Sequence, residues 1–116
     1  MSGQTVDDII KNIMKHKGVI GVVIVERENG CIVEHNLDDD KDARQFAQLT
    51  YAIVEAGNQQ LSVQYTDSTD DQSKIPKIPE HLSMVRLRTS KKRELIISSH
   101  PVYLLIAIQD TDIVNN

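Results

Sequence analysis

The chain has no tryptophan, one phenylalanine and three tyrosines in 116 residues. Its core must therefore come from Ile, Val and Leu, and the aromatic surfaces on which small ligands and nucleobases stack are scarce. A single cysteine cannot close an internal disulfide, which excludes a disulfide-stapled secreted scaffold. No run approaches the roughly 18 consecutive apolar residues that would cross a bilayer, so membrane insertion is not expected. The opening residues Met1 to Asp8 have no signal-peptide pattern, and a cytoplasmic or nuclear location is the expectation. Positive charge is in the minority: 13 Lys and Arg against 17 Asp and Glu give a net charge of −4. That is the wrong sign for a general nucleic-acid binder. Neither a phosphate-binding nor a dinucleotide-binding glycine loop is present. The four histidines are dispersed and match no zinc-ligand spacing, so no metal and no cofactor are expected.

What is there fits one domain, residues 1–116, with 40% apolar and 26% charged residues. Thr5-x-x-Asp8 reads as a capping box, and Val6, Ile9, Ile10, Ile13 and Met14 form a helical stripe closed by Gly18. Val19 to Val25 is an apolar β-branched block without alternation, read as a strand buried on both faces. Glu28-Asn29-Gly30 turns the chain into a second strand, Cys31 to His35. A second helix is predicted from about residue 41 to the low sixties, with Ala43, Phe46, Leu49, Thr50, Ile53, Ala56, Gly57 and Leu61 on one broad stripe. Gly57 there reads either as a close approach to another helix or as fraying. Residues 66–80 lack periodicity and contain two Ile-Pro steps, so a long exposed loop is expected. Alternating Ser83 to Thr89, then Arg93 to Ser98, then Val102 to Ile108 make three more strands, and residues 111–116 read as a polar tail.

The order helix, two strands, helix, three strands gives an α/β (α+β) fold with a five-stranded, mostly antiparallel sheet. Two helices cannot cover it. Five strands span about 24 Å, whereas one helix covers about 10 Å. Part of a face or an edge is left for a partner.

Candidate chemistry is thin. Cys31 and His35 stand four residues apart on one strand, about 13 Å, too far for a thiolate–imidazole pair. The expectation is a small core cysteine and a rim histidine. Asp38, Asp39, Asp40 and Asp42 lack the glycine and terminal glutamate of a calcium loop and read as a helix cap. The one sharp charge feature is Arg86, Arg88, Lys91, Lys92 and Arg93 on a single hairpin. It reads as a solvated, aggregation-resistant hairpin, as a dock for an acidic protein segment or, least in keeping with the net charge, as a nucleic-acid contact. The Ile75-Pro-Lys-Ile-Pro79 run is a spacer or an extended docking motif.

Three stretches together resemble the roadblock family of dynein light chains: His16-Lys17-Gly18-Val19-Ile20-Gly21 with the valines after it, Val85-Arg86-Leu87-Arg88-Thr89-Ser90-Lys91-Lys92-Arg93-Glu94, and Tyr103-Leu104-Leu105-Ile106-Ala107-Ile108-Gln109. The likeness spans about residues 5–61 and 81–110. It implies a roadblock/longin-like fold without enzymatic activity, and a homodimer whose third strands pair into a ten-stranded sheet with the second helices side by side. A heterodimer with another roadblock chain is the variant of that assembly. On this resemblance Met84, Val85, Arg86, Leu87 and Arg88 form the dimer edge, supported by Phe46, Ile53 and Gly57. The implied partner is the dynein intermediate chain, docked over the sheet face that carries the first helix, with Ile9, Ile13, Lys91, Lys92 and Arg93 as contacts. A microtubule-associated, cytoplasmic motor subunit linking motor to cargo is the function implied. The alternative is a roadblock-type scaffold or regulator of small Ras-like GTPases. Two departures stand out: the insertion at 66–80 and the tail at 111–116.

Overall fold

Thr5 starts the first helix as its neighbours require. Its hydroxyl accepts the Asp8 N–H at 3.1 Å, and the Asp8 carboxylate accepts the Thr5 N–H at 3.4 Å. This reciprocal cap is worth about 1 kcal/mol. In the computed structural model, which describes residues 5–62 and 80–114, the elements are α1 (Val6–Met14), β1 (Val19–Glu26), β2 (Ile32–His35), α2 (Asp40–Ser62), β3 (Met84–Arg88), β4 (Arg93–Ser99), β5 (Tyr103–Asp110) and α3 (Thr111–Val114).

The sheet order is β2-β1-β5-β4-β3, and every pair is antiparallel. The most apolar strands take the inner positions. In β1, Val22, Val23, Ile24 and Val25 are each 0% exposed, so the strand is buried on both faces as its composition demands. β5 differs: Leu104, Ile106 and Ile108 are buried, while Tyr103, Leu105 and Ala107 on the other face are only half-buried.

That asymmetry follows from helix length. The 23-residue α2 lays Ala43, Phe46, Ala47 and Val54 over Val23, Val25, Leu95, Ile97, Leu104, Ile106 and Ile108. The nine-residue α1, about 14 Å long, packs Ile9 on Val22 and Ile24, with Val6, Ile10, Ile13, Met14, Tyr103 and Leu105 around it. The side chains beneath α1 thus come from β1 and β5. Among the described residues no helix covers the α1 side of β4 and β3.

Three local expectations are corrected. Cys31 lies just before β2 and is exposed, so it is no core residue; the chain is still leaving the turn, where the Cys31 N–H donates to the Asn29 side chain at 2.9 Å. The sheet is wholly rather than mostly antiparallel. Residues 111–114 form α3 instead of a tail. The β3–β4 turn puts Lys92 at a φ of 62° and leaves its carbonyl open, and the Thr111 N–H and hydroxyl both donate to it at 2.9 Å. The loop expected at 66–80, with its Ile75–Pro79 run, lies outside the described residues apart from Glu80. No helix among the described residues is long and apolar enough to cross a membrane.

Candidate interaction surface

β3 bonds to β4 alone and forms one end of the sheet. Its outer row of backbone N–H and C=O groups is unclaimed within the described chain, a template for another strand. The alternation Met-Val-Arg-Leu-Arg turns Val85 and Leu87 toward the α2 side, where they pack half-buried against the core. Met84, Arg86 and Arg88 point to the α1 side.

The flank of α2 that overhangs this edge is apolar too. On the opposite flank, the Tyr51 hydroxyl reaches the β1–β2 turn, donating to the Glu28 carbonyl at 3.2 Å and lying 2.8 Å from the Glu55 carboxylate. The hydrogen bond to Glu55 raises the Tyr51 pKa above its ordinary value. The Tyr51 ring covers Gly30, whose φ of +78° and closeness to the ring (2.8 Å from where a Cβ would sit) both demand glycine. With Tyr51 tied toward β2, helical spacing turns Leu49, Ile53 and Ala56 toward the β3 end. Leu49 is 45% exposed, and Ala52 and Ala56 are exposed beside it. Open strand and apolar helix flank therefore face the same end of the sheet.

The α1 side of the same edge is ionic. The Arg86 Nε donates to Glu94 Oε1 at 2.8 Å and the Arg88 Nη2 to Glu94 Oε2 at 3.1 Å. These bonds, Arg86 first, hold the buried Glu94 carboxyl below the usual carboxylate range. Two guanidinium groups thus share one carboxylate, while Met84 and Ile96 lie beside them on the same face.

No protein-family model matches the chain. Its fold does match solved structures. The Roadblock/LC7 domain from Streptomyces avermitilis superposes with a TM-score of 0.66 at 12% identity, over 92% of this chain and 79% of that one. The gliding protein MglB from Thermus thermophilus gives 0.66 at 10% identity, over 92% and 72%. An MglB solved in a tetrameric arrangement gives 0.62 at 10% identity, over 92% and 71%. The fold is that of a Roadblock/LC7 domain.

On this fold the residues expected at the dimer edge do not all share one surface. Met84 to Arg88 form the open strand, and Ile53 stands half-buried on the overhanging flank. Phe46 does not reach that surface: it is 9% exposed, packed in the core with the Arg93 guanidinium 5.1 Å above its ring. Gly57 accommodates the Leu82 side chain rather than another helix, and the Leu82 N–H is held by the Asn58 side chain at 2.7 Å. Ile9, 7% exposed, faces the sheet beneath α1, and Ile13 is half-buried against the same cluster. The run of five cations is split three ways: Arg86 and Arg88 on the α1 side, Arg93 over Phe46 on the α2 side, and Lys91 and Lys92 at the turn, where the Lys92 Nζ lies 3.5 Å from Asp112.

Leu49 and Ala56, which were not among the residues expected at the edge, are exposed on the same flank of α2. Both sit in the sequence stripe of α2, and the signal was the width of that stripe, too broad for one buried face of a helix. Elsewhere the geometry is structural. His35 is occupied at both nitrogens, by Asp40 at 2.7 Å and the Leu37 N–H at 3.1 Å, so it is no partner for Cys31. The Asp39 carboxylate accepts the Lys41 N–H at 2.8 Å, as a cap does. Among the described residues no group of three or more His, Cys, Asp and Glu is placed to hold a metal.

Proposed function

We propose that this roadblock domain is a non-catalytic docking subunit that works as a homodimer. β3 pairs with β3 of a second copy across a two-fold axis, making a ten-stranded sheet, and the α2 flanks pack side by side. The observation that carries the reading is an open strand edge at the end of the sheet toward which helical spacing turns an apolar flank of α2, with Leu49 and Ala56 exposed and Ile53 half-buried. The tetrameric arrangement of one MglB neighbour is in keeping with assembly through this fold. A heterodimer with another roadblock chain uses the same edge.

Within that reading, the dimer is an accessory light chain of the dynein motor, binding the dynein intermediate chain and linking motor to cargo on microtubules in the cytoplasm. The support is the resemblance carried by the Lys17-Gly18-Val19-Ile20-Gly21 segment and the Arg-rich hairpin. Sedimentation of the pure chain tests the first step, with a mass of about 26 kDa, twice 13.1 kDa, as the expected result. Titration with intermediate-chain fragments tests the second, and no binding at high micromolar concentration overturns it.

A second reading keeps the dimer and makes it a scaffold or regulator of small Ras-like GTPases. It is favoured by the appearance of the same fold in a gliding protein, outside any dynein. Retention of a GTPase in one nucleotide state only, with no retention of intermediate-chain fragments, selects this reading over the first.

A further inference from the structure

We infer that this chain binds a free α-amino acid with an aliphatic side chain, in a cavity on the α2 side of the sheet between the first turns of α2 and the start of β4. The inference goes beyond the docking reading above and does not depend on the dimer, since no residue of β3 lines the cavity.

The cavity follows from local sequence. β1 shifts its register with β5 between Val19 and Gly21, so Ile20 leaves the ladder and stands 46% exposed. The Asn36 side chain accepts the Val22 N–H at 2.7 Å and ties the β2–α2 connection to β1, with Leu37 next in the chain. Phe46 from the second turn of α2 and Ile108 from β5 complete an apolar lining with Ile20 and Leu37. The space is about 220 Å³. That is below the roughly 300–1,000 Å³ of sites for drug-sized ligands and suits one small molecule.

Both signs of charge line the cavity without neutralising each other. Arg93, the first residue of β4, supplies the positive wall. Its guanidinium lies 5.1 Å from the centre of the Phe46 ring, its Nε is buried with no hydrogen-bond partner, and it enters no ion pair among the described residues. A buried donor in that state carries an uncompensated cost, and a carboxylate is the group that matches the guanidinium fork. Asp38 and Asp42 supply the negative wall. Asp39 and Asp40 are already engaged, by the Lys41 N–H and by His35. Arg93 and Asp38 come from opposite sides of β5, which keeps the two signs from pairing. A molecule with an ammonium and a carboxylate on one carbon, and an aliphatic side chain beside them, satisfies both walls and the lining together. The amino terminus of a polypeptide offers Arg93 only a neutral carbonyl, so the free amino acid is the better match.

The test titrates the full chain with L-leucine, read by calorimetry and mapped by amide NMR shifts. Leucine should shift Ile20, Leu37, Asp42 and Arg93. Leucinamide lacks the carboxylate and N-acetylleucine lacks the ammonium, and each should bind roughly tenfold more weakly, the loss of one charge-assisted contact. Glycine, with no side chain to bury, should also bind roughly tenfold more weakly. Arg93→Gln should weaken leucine binding roughly tenfold, and Arg93→Lys should recover only part of it, because it keeps the charge but not the fork. Ile20→Trp, at a partly exposed position, should block the cavity and leave the urea midpoint unchanged. Lys91→Gln, outside the cavity, should change binding by less than about twofold. Leucinamide binding as tightly as leucine overturns the free amino acid in favour of a chain terminus. No shifts at millimolar leucine, equal binding of glycine, or full binding by a folded Arg93→Gln or Ile20→Trp chain overturns the site altogether. Either failure leaves the sedimenting mass, and with it the dimer reading, untouched.

Discussion

The two faces of this sheet are finished differently. On the α2 side a long helix covers the sheet, and Leu95, Ile97, Leu104, Ile106 and Ile108 are buried to 2% exposure or less. On the α1 side a helix of nine residues seals β1 and stops, and the rest of the face holds two arginines, one glutamate, Met84 and Ile96. The first face is closed by hydrocarbon over β1, β5 and β4. The second is closed only by ions at a half-covered edge, where exposed charges stabilise the fold weakly and remain available to something else. The two faces of one sheet are thus closed by different means, with the α2 flank and β3 on the boundary.

Substitutions that treat the faces alike should break the symmetry most sharply. Ile106→Ala empties a fully buried site on the α2 side and should cost about 4 kcal/mol in urea unfolding. Ile96→Ala, on the half-covered side, should cost about 1 kcal/mol. Equal losses would mean that the α1 side is as closed as the other. At the boundary, Leu87→Asp puts a charge among residues packed on the core and against the open edge. It should remove about 3 kcal/mol and reduce the sedimenting mass to that of one chain. A stable Leu87→Asp dimer would show that β3 is not the shared strand.

The faces were unequally legible in the sequence. The unbroken valine block of β1 announces burial on both sides, and the Thr5–Asp8 box and the Asn29-Gly30 turn fix where α1 begins and where β1 turns into β2. Periodicity states which side chains share a face but not what lies opposite. The α2 stripe therefore merged the core residues Phe46 and Thr50 with Leu49 and Ala56, which look outward. The hairpin cations were adjacent in sequence, yet strand alternation sends Arg93 to the opposite face from Arg86 and Arg88. Ile9 and Ile13 marked the helix face that packs on the sheet, which buries Ile9 and half-buries Ile13. The one-turn α3 depends on a carbonyl freed by the β3–β4 turn, a tertiary contact that no local pattern encodes.

The smallest expected effect isolates the ionic closure itself. Arg86 and then Arg88 lower the pKa of Glu94 in the folded chain relative to the unfolded one. A depressed carboxylate pKa contributes stability above its unfolded value, near 4.3, and loses it as pH falls through the lower folded value. Acid unfolding followed by circular dichroism should therefore show a loss of stability below about pH 4.3 that Glu94→Gln removes in part. At neutral pH the same variant should cost about 1 kcal/mol or less, since both arginines are more than half exposed and return to water when released. A larger neutral-pH loss would mean that the triad seals the α1 side as firmly as hydrocarbon seals the other. In that case the arginines are committed to the fold rather than left for other contacts.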